Sequence, residues 1–175
     1  MKLAQITTTV LAALVATAAS AQAPAPPAGG PPAPPPPRAK GPALTPSVQA
    51  AQAAVAACLA NGYKVTALIT DSGGDPVVLL SGDGAAVRTQ AIAKTKVAAA
   101  LKYKMSSGEV VAKAKTDPKL DAEIKADPAI GTARQGAVLI MGGADILGAF
   151  AVSGAPGGDK DEACVKAAMD KVKLG

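Results

Sequence analysis

The sequence predicts an α+β domain, an antiparallel sheet with helices packed against it, and three observations carry that prediction. VTALIT and PVVLLS flank the turn DSGGD at residues 71–75, and AVLIM and ILGAFAVSG flank GGAD at 142–145, which gives two segments of hairpin form. Helical patterns precede, separate and follow these hairpins, so the elements read α, hairpin, α, α, hairpin, α. Hairpins join antiparallel neighbours, whereas a wound parallel sheet needs a crossover helix between strands.

The chain opens with MKLAQITTTVLAALVATAASAQA, in which Lys2 precedes an apolar run at Val10–Ala16 and small residues end in Ala19-Ser20-Ala21. This is the form of a secretory signal, with cleavage expected after Ala21. The apolar run is shorter than the ~20 residues a membrane span needs. Residues 22–43, with PAPPAGGPPAPPPPRAKGP, are rich in prolines that cannot donate backbone hydrogen bonds and offer no apolar surface to bury, and read as a disordered Pro-rich linker in extended conformation. Residues 44–175 then form one domain of ordinary size. Loss of Lys2 takes the net charge from +5 to +4, a mild excess without the Arg clusters or aromatic platforms of nucleic-acid readers. The expected product is periplasmic or secreted and binds no nucleic acid.

Within the domain, LTPSVQAAQAAVAACLANGY reads as a helix with Thr45 as N-cap, Pro46 at the first helical position and Asn61-Gly62 as its stop. The first hairpin follows, with Gly73 and Gly74 able to take a positive φ. From Gly84 to Met105 a helix places Val87, Ala91, Ala98, Leu101 and Met105 on one apolar stripe, with Lys94 intruding. Ser106 and Glu109 have capping-box spacing and open a second short helix. TDPKLDAEIKADPAIG, interrupted by Asp117-Pro118 and Asp127-Pro128, reads as a long connection holding one or two helical turns at most. After the second hairpin the last helix is expected from Asp159 to about Lys173, with Asp159 capping and Glu162 reaching back.

The composition excludes much chemistry. No histidine is present, which removes Ser-His-Asp and Cys-His nucleophile pairs and imidazole ligation of zinc, copper or haem iron. No phosphate-binding glycine motif occurs. Asp71, Asp75 and Asp83 lack calcium-loop spacing and read as turn residues, so no metal site is expected. Cys58 and Cys164, one in the first helix and one in the last, are open to two readings: a bridge, or two separate buried thiols.

Two constellations remain. In GAFAVSGAPGGDKDEAC, Gly154, Gly157 and Gly158 let backbone approach a ligand, and a helix start attracts anions. Asp159, Asp161 and Glu162 supply negative charge at the same place, so the residues favour a turn and cap over an anion site. On the middle helix, Arg88, Ile92, Lys96 and Tyr103 share a face opposite the apolar stripe, with Arg88 and Lys96 about 12 Å apart along the axis. Two cations and two bulky groups suit an amphipathic anion such as a porphyrin; a solvated face or subunit contact is the plainer reading.

The segments ITDSGGDPV, IAKTKVAAAL and QGAVLIMGGADILGAFAVSGAPGGDKDEACVKAAM together resemble the GlcG/HbpS-like family, also described as a haem-degrading domain family. The resemblance spans the chain from Leu44 onward. It implies about five antiparallel strands flanked by helices in a profilin-like sandwich, frequent homo-oligomers, and haem or a related tetrapyrrole as ligand. It also implies, for exported members, a haem or redox sensor beside a membrane partner. By motif, Asp71, Gly73 and Gly74 match the first hairpin, Lys96 the helical lysine, and Gly148, Ser153, Gly154, Gly157, Gly158, Asp161 and Glu162 the signature end. With histidine absent, Tyr103, Tyr63, Met105, Met141, a lysine or a hydroxyl remain as iron ligands. The expected function is an exported haem or tetrapyrrole binder with Arg88, Lys96, Tyr103 and Met105 at its pocket, non-enzymatic or weakly degradative. The alternatives are a small-molecule enzyme or accessory protein acting on a 2-hydroxy acid or similar anion, with Lys96 or Asp71 in proton transfer, and an oligomeric scaffold that binds a protein through the Arg88 face.

Overall fold

The computed structural model describes residues 38–175; the expected signal at 1–21 and most of the Pro-rich segment lie outside these residues. The elements run α1 (Leu44–Leu59), β1 (Thr66–Thr70), β2 (Pro76–Ser81), α2 (Arg88–Tyr103), α3 (Ser107–Thr116), α4 (Pro118–Ala126), β3 (Ala137–Gly142), β4 (Asp145–Ser153) and α5 (Gly158–Met169). The sheet is antiparallel in the order β2-β1-β4-β3, so both hairpins are present and β1 pairs with β4 at the centre. Among the described residues it has four strands where the family resemblance implied about five.

Strand alternation divides the core. Ala67, Ile69, Phe150 and Val152 face α1 and α5, while Leu68, Ala149 and Ala151 face α2. The α1 face is built from Ala50, Ala51 and Ala54, all fully buried, and such short side chains let helices approach closely. Cys58 and Cys164 accordingly meet with 5.5 Å between their Cα atoms and form a disulfide joining α1 to α5. On the other side, Ala99 of α2 packs with Val110, Ile124 and Ile130 of the α3–α4 region, a small satellite core. Ser107 ties this layer to the sheet by accepting from Ala137 N at 2.8 Å.

Several local expectations are corrected. Helix α1 starts at Leu44 with Ala43 as N-cap and no side-chain cap; Thr45 is inside the first turn, and the Ser47 hydroxyl donates back to Ala43 O instead. The polar connection after α3 contains a full helix, α4, because Asp117-Pro118 is a start rather than a break. The Asp117 carboxylate accepts from Lys119 N and Leu120 N, and Pro118 occupies a first-turn position whose N–H has no intrahelical partner. The stripe of α2 is turned: Val87 and Ala91 are exposed, and the buried face is Thr89, Ala93, Lys96, Val97, Ala99 and Ala100, with Lys94 in solvent. The Ser106–Glu109 capping box is complete in both directions.

Residues 38–43, grouped by sequence with the Pro-rich segment, pack on the domain. Arg38 Nε donates to Asp71 Oδ2 at 3.2 Å and Lys40 Nζ to Asp145 at 2.8 Å, so this short strap touches both hairpin turns. Asp71 is fully buried; its other oxygen accepts from Gly73 N and Asp75 N and holds the first turn, where Gly74 has φ +91°.

Candidate functional site

A cleft of about 680 Å³ opens where the N-terminal turn of α2 meets the turn between β4 and α5. Its walls come from the loop after α1 (Tyr63, Lys64), from α2 (Arg88, Ile92, Lys96), from α3 and the loop before β3 (Val111, Ala133, Arg134) and from the signature turn (Gly154 to Asp159). The volume lies within the range of small-molecule sites.

Lys96 forms the floor. Sequence periodicity set it opposite the apolar stripe, as a pocket candidate, and its side chain is only 2% exposed. Its Nζ donates to Val152 O at 2.8 Å and to Asp161 Oδ2 at 2.6 Å, tying α2 to α5 around the end of the sheet. The other Asp161 oxygen accepts from Ala155 N at 2.9 Å, so the pair also fixes the glycine turn. Burial pushes the Lys96 amine below its ordinary value and the Asp161 carboxyl above its own, and each is opposed by the partner's charge. Gly136 makes room for the pair, since a Cβ there would lie 2.6 Å from Lys96 Nζ and 2.8 Å from the Asp161 Cβ.

The rim is cationic. Lys64, Arg88 and Arg134 come from three separate segments and converge on this one cleft; like several surface lysines they have no carboxylate partner among the described residues. Opposing charge comes from Asp159 alone, because Asp161 is already neutralised. Three cations left unpaired at one concavity favour a ligand that carries negative charge. Ile92, Val111, Ala133 and Pro156 add apolar wall between them.

The start of α5 differs from the expected capping box. Gly157 is the N-cap with no side-chain cap; Asp159 does not cap, and Glu162 is buried and accepts from Lys166 Nζ at 2.6 Å. One Glu162 oxygen has no hydrogen-bond partner among the described residues. The acids therefore leave the first N–H groups of α5 without a side-chain partner beside the cleft.

Of the residues singled out from sequence, Arg88, Lys96, Gly154, Gly157 and Gly158 meet at this cleft. Tyr103 and Met105 lie away from it in the α2–α3–α4 cluster, where the Tyr103 hydroxyl donates to Glu123 Oε1 at 3.1 Å. They lie about two turns and more beyond Lys96, toward the C-terminal end of α2 and away from the cleft, and face the satellite core. Lys64 and Arg134 escaped the sequence reading, because they sit in irregular segments with no periodicity to mark a face.

The donor set suits a haem in part. Unpaired cations match propionates, and the apolar wall matches a porphyrin face. Tyr63 offers a phenolic oxygen, while the imidazole and thiolate that commonly hold haem iron are missing, the cysteines being joined in the disulfide. Among the described residues no group of three His, Cys, Asp or Glu could hold a bare metal ion.

A family model described as haem-degrading protein HbpS-like matches residues 44–170. Among solved structures, an HbpS double mutant from Streptomyces reticuli shares 27% identity at TM-score 0.69, covering 85% of this chain and 99% of that one. A further HbpS structure shares 27% identity at TM-score 0.68, covering 79% and 93%. A structure described as a PduOC–haem complex has the same fold at 17% identity and TM-score 0.67, covering 77% and 97%. A search of curated proteins returns no match.

Proposed function

Because the chain belongs to the HbpS-like haem-degrading family, we propose that it binds haem or a related tetrapyrrole in the cleft beside the signature turn, as an exported carrier or sensor. The observation that carries this reading is the set of three unpaired cations, Lys64, Arg88 and Arg134, around one concavity with an apolar wall. In this reading Arg88 and Arg134 pair with the propionates, Arg in the bidentate geometry its guanidinium allows. Ile92, Val111, Ala133 and Pro156 take the macrocycle face, and Lys96 with Asp161 holds the two walls in register without touching ligand charge. A bound haem would supply a redox-active iron; the chain supplies binding, orientation and shielding from water. The secretory signal read at 1–21 accounts for export, and a membrane sensor partner and self-association belong to the same proposal.

Titration of the purified protein with haemin, followed by absorption, tests it. A saturable shift at one haem per chain is expected, and Arg88→Ala with Arg134→Ala should weaken it by at least about tenfold, the equivalent of ~1.4 kcal/mol. A response equal to that of an unrelated basic protein, or affinity unchanged in the double variant, would reject this cleft.

A further inference from the structure

A haem seated in this cleft must find an iron ligand in a chain without histidine, and most lone pairs near the cleft are already committed. Thr89 Oγ1 is bonded to Ala86 O at 2.6 Å and to Thr66 Oγ1 at 2.7 Å. Both oxygens of Asp161 and the amine of Lys96 are engaged with each other and with backbone. Lys64, as an ammonium, has donors and no lone pair. Met105, Met141 and Met169 do not line the cleft, and Tyr103 is bound to Glu123 elsewhere.

Tyr63 differs from all of these. It lines the cleft between Gly62 and Lys64, and its hydroxyl forms no hydrogen bond among the described residues. Its backbone is fixed, because Tyr63 N donates to Cys58 O at 3.0 Å, the residue that the disulfide anchors to α5. One face of its ring carries the Lys160 ammonium, 5.8 Å from the centroid, which holds the ring in place from the side of α5. Phenolic oxygen is an established protein ligand of haem iron. The rival donors are Asp159, an exposed carboxylate at the start of α5 whose side chain bends back toward Gly157, and Ser153 and Gln135, which also line the cleft with side-chain oxygens that form no hydrogen bond among the described residues.

We propose that Tyr63, fixed at the exit of α1 and among the residues that line the cleft, is the residue that ligates the iron of a bound haem through its phenolic oxygen. The inference rests on the haem reading above, and the two fail separately. The full-length protein, Tyr63→Phe, Tyr63→His and Asp159→Asn are each titrated with haemin and recorded by absorption, resonance Raman and electron paramagnetic resonance. The wild type is expected to show a phenolate-to-iron charge-transfer band with phenolate Raman modes and a high-spin ferric signal. Tyr63→Phe should still bind through the rim cations but lose these signatures, with affinity weaker by at least about tenfold, as loss of a group supporting a metal centre does. Tyr63→His should bind and give a different, imidazole-type spectrum; Asp159→Asn should match the wild type. Saturable binding with identical spectra in wild type and Tyr63→Phe overturns the assignment and leaves haem binding standing. Loss of the signatures in Asp159→Asn alone moves the ligand to that residue. Absence of saturable binding in the wild type overturns both.

Discussion

The two helical layers of this domain are held by opposite means. Against one face of the sheet, α1 and α5 pack through small buried residues and are joined covalently by Cys58–Cys164. On the other face α2, α3 and α4 rest on a thinner apolar patch and a satellite core, with hydroxyl contacts and surface ion pairs of Lys102 to Glu123 and Asp127 supplying the rest. The cleft lies at the seam, and the buried Lys96–Asp161 pair joins the layers there. One layer thus acts as a fixed frame, and the rim cation Arg88 is mounted on the other, with Arg134 in the loop that leads from α4 to β3. Binding in such an arrangement depends on how firmly the seam is held as much as on the rim itself.

The comparison is broken most severely at the frame. Replacing both cysteines by alanine opens a loop of 106 residues in the unfolded chain and should cost about 4–5 kcal/mol in the chain-entropy model. Chemical denaturation under non-reducing conditions measures it; a loss below ~1 kcal/mol would mean the alanine packing alone makes the frame. The next effect is at the seam. Lys96→Met strands a buried carboxylate and should cost about 3–5 kcal/mol, while Lys96→Met with Asp161→Leu should recover a good part of that loss. Equal destabilisation by the single and double variants would show that space, not charge, holds the layers together. A smaller effect concerns the strap: Arg38→Ala removes one partner of buried Asp71 and should cost about 1 kcal/mol, since Arg38 is itself well exposed. A domain cut at Leu44, which also removes Lys40 and the Ala43 carbonyl that Ser47 bonds, should lose more, seen as a lower melting temperature than a chain beginning at Arg38.

The layers also differ in how legible they were. The hairpins could be read because a tight turn demands glycine where φ is positive, as at Gly74 and Gly143. Helix α1 could be read because it is long and ends at Asn61-Gly62, with Gly62 in the left-handed region. Helix α2 was visible as a helix, but its apolar stripe was not: alanines at 91, 93, 98, 99 and 100 are compatible with any rotation, so Lys96, a pocket candidate by sequence, carried no sign that its side chain would be buried. Its burial depends on Asp161, 65 residues away, and no local pattern carries that information. Helix α4 was missed because Asp-Pro has the same residues whether it breaks a helix or starts one. The family resemblance located the signature turn, yet two of the three rim cations, Lys64 and Arg134, come from loops, which only the assembled fold brings to it.

The weakest expected effect sharpens the contrast through acid. Lys102 holds the Asp127 and Glu123 carboxyls below their ordinary range by hydrogen bonding and charge. A carboxyl with a depressed folded-state pKa stabilises the protein above its unfolded value of ~4 and loses that contribution as pH falls through the folded value. These groups lie at the surface and join α2 to α4, so acid should loosen α4 before it disturbs the disulfide-bound frame. Hydrogen exchange at neutral pH and near pH 3 should show α4 amides losing protection while those of α1 and α5 keep theirs. Lys102→Gln should abolish the difference by weakening α4 at both pH values, whereas uniform loss of protection in both layers would mean that they unfold as one unit and that the seam is as strong as the frame.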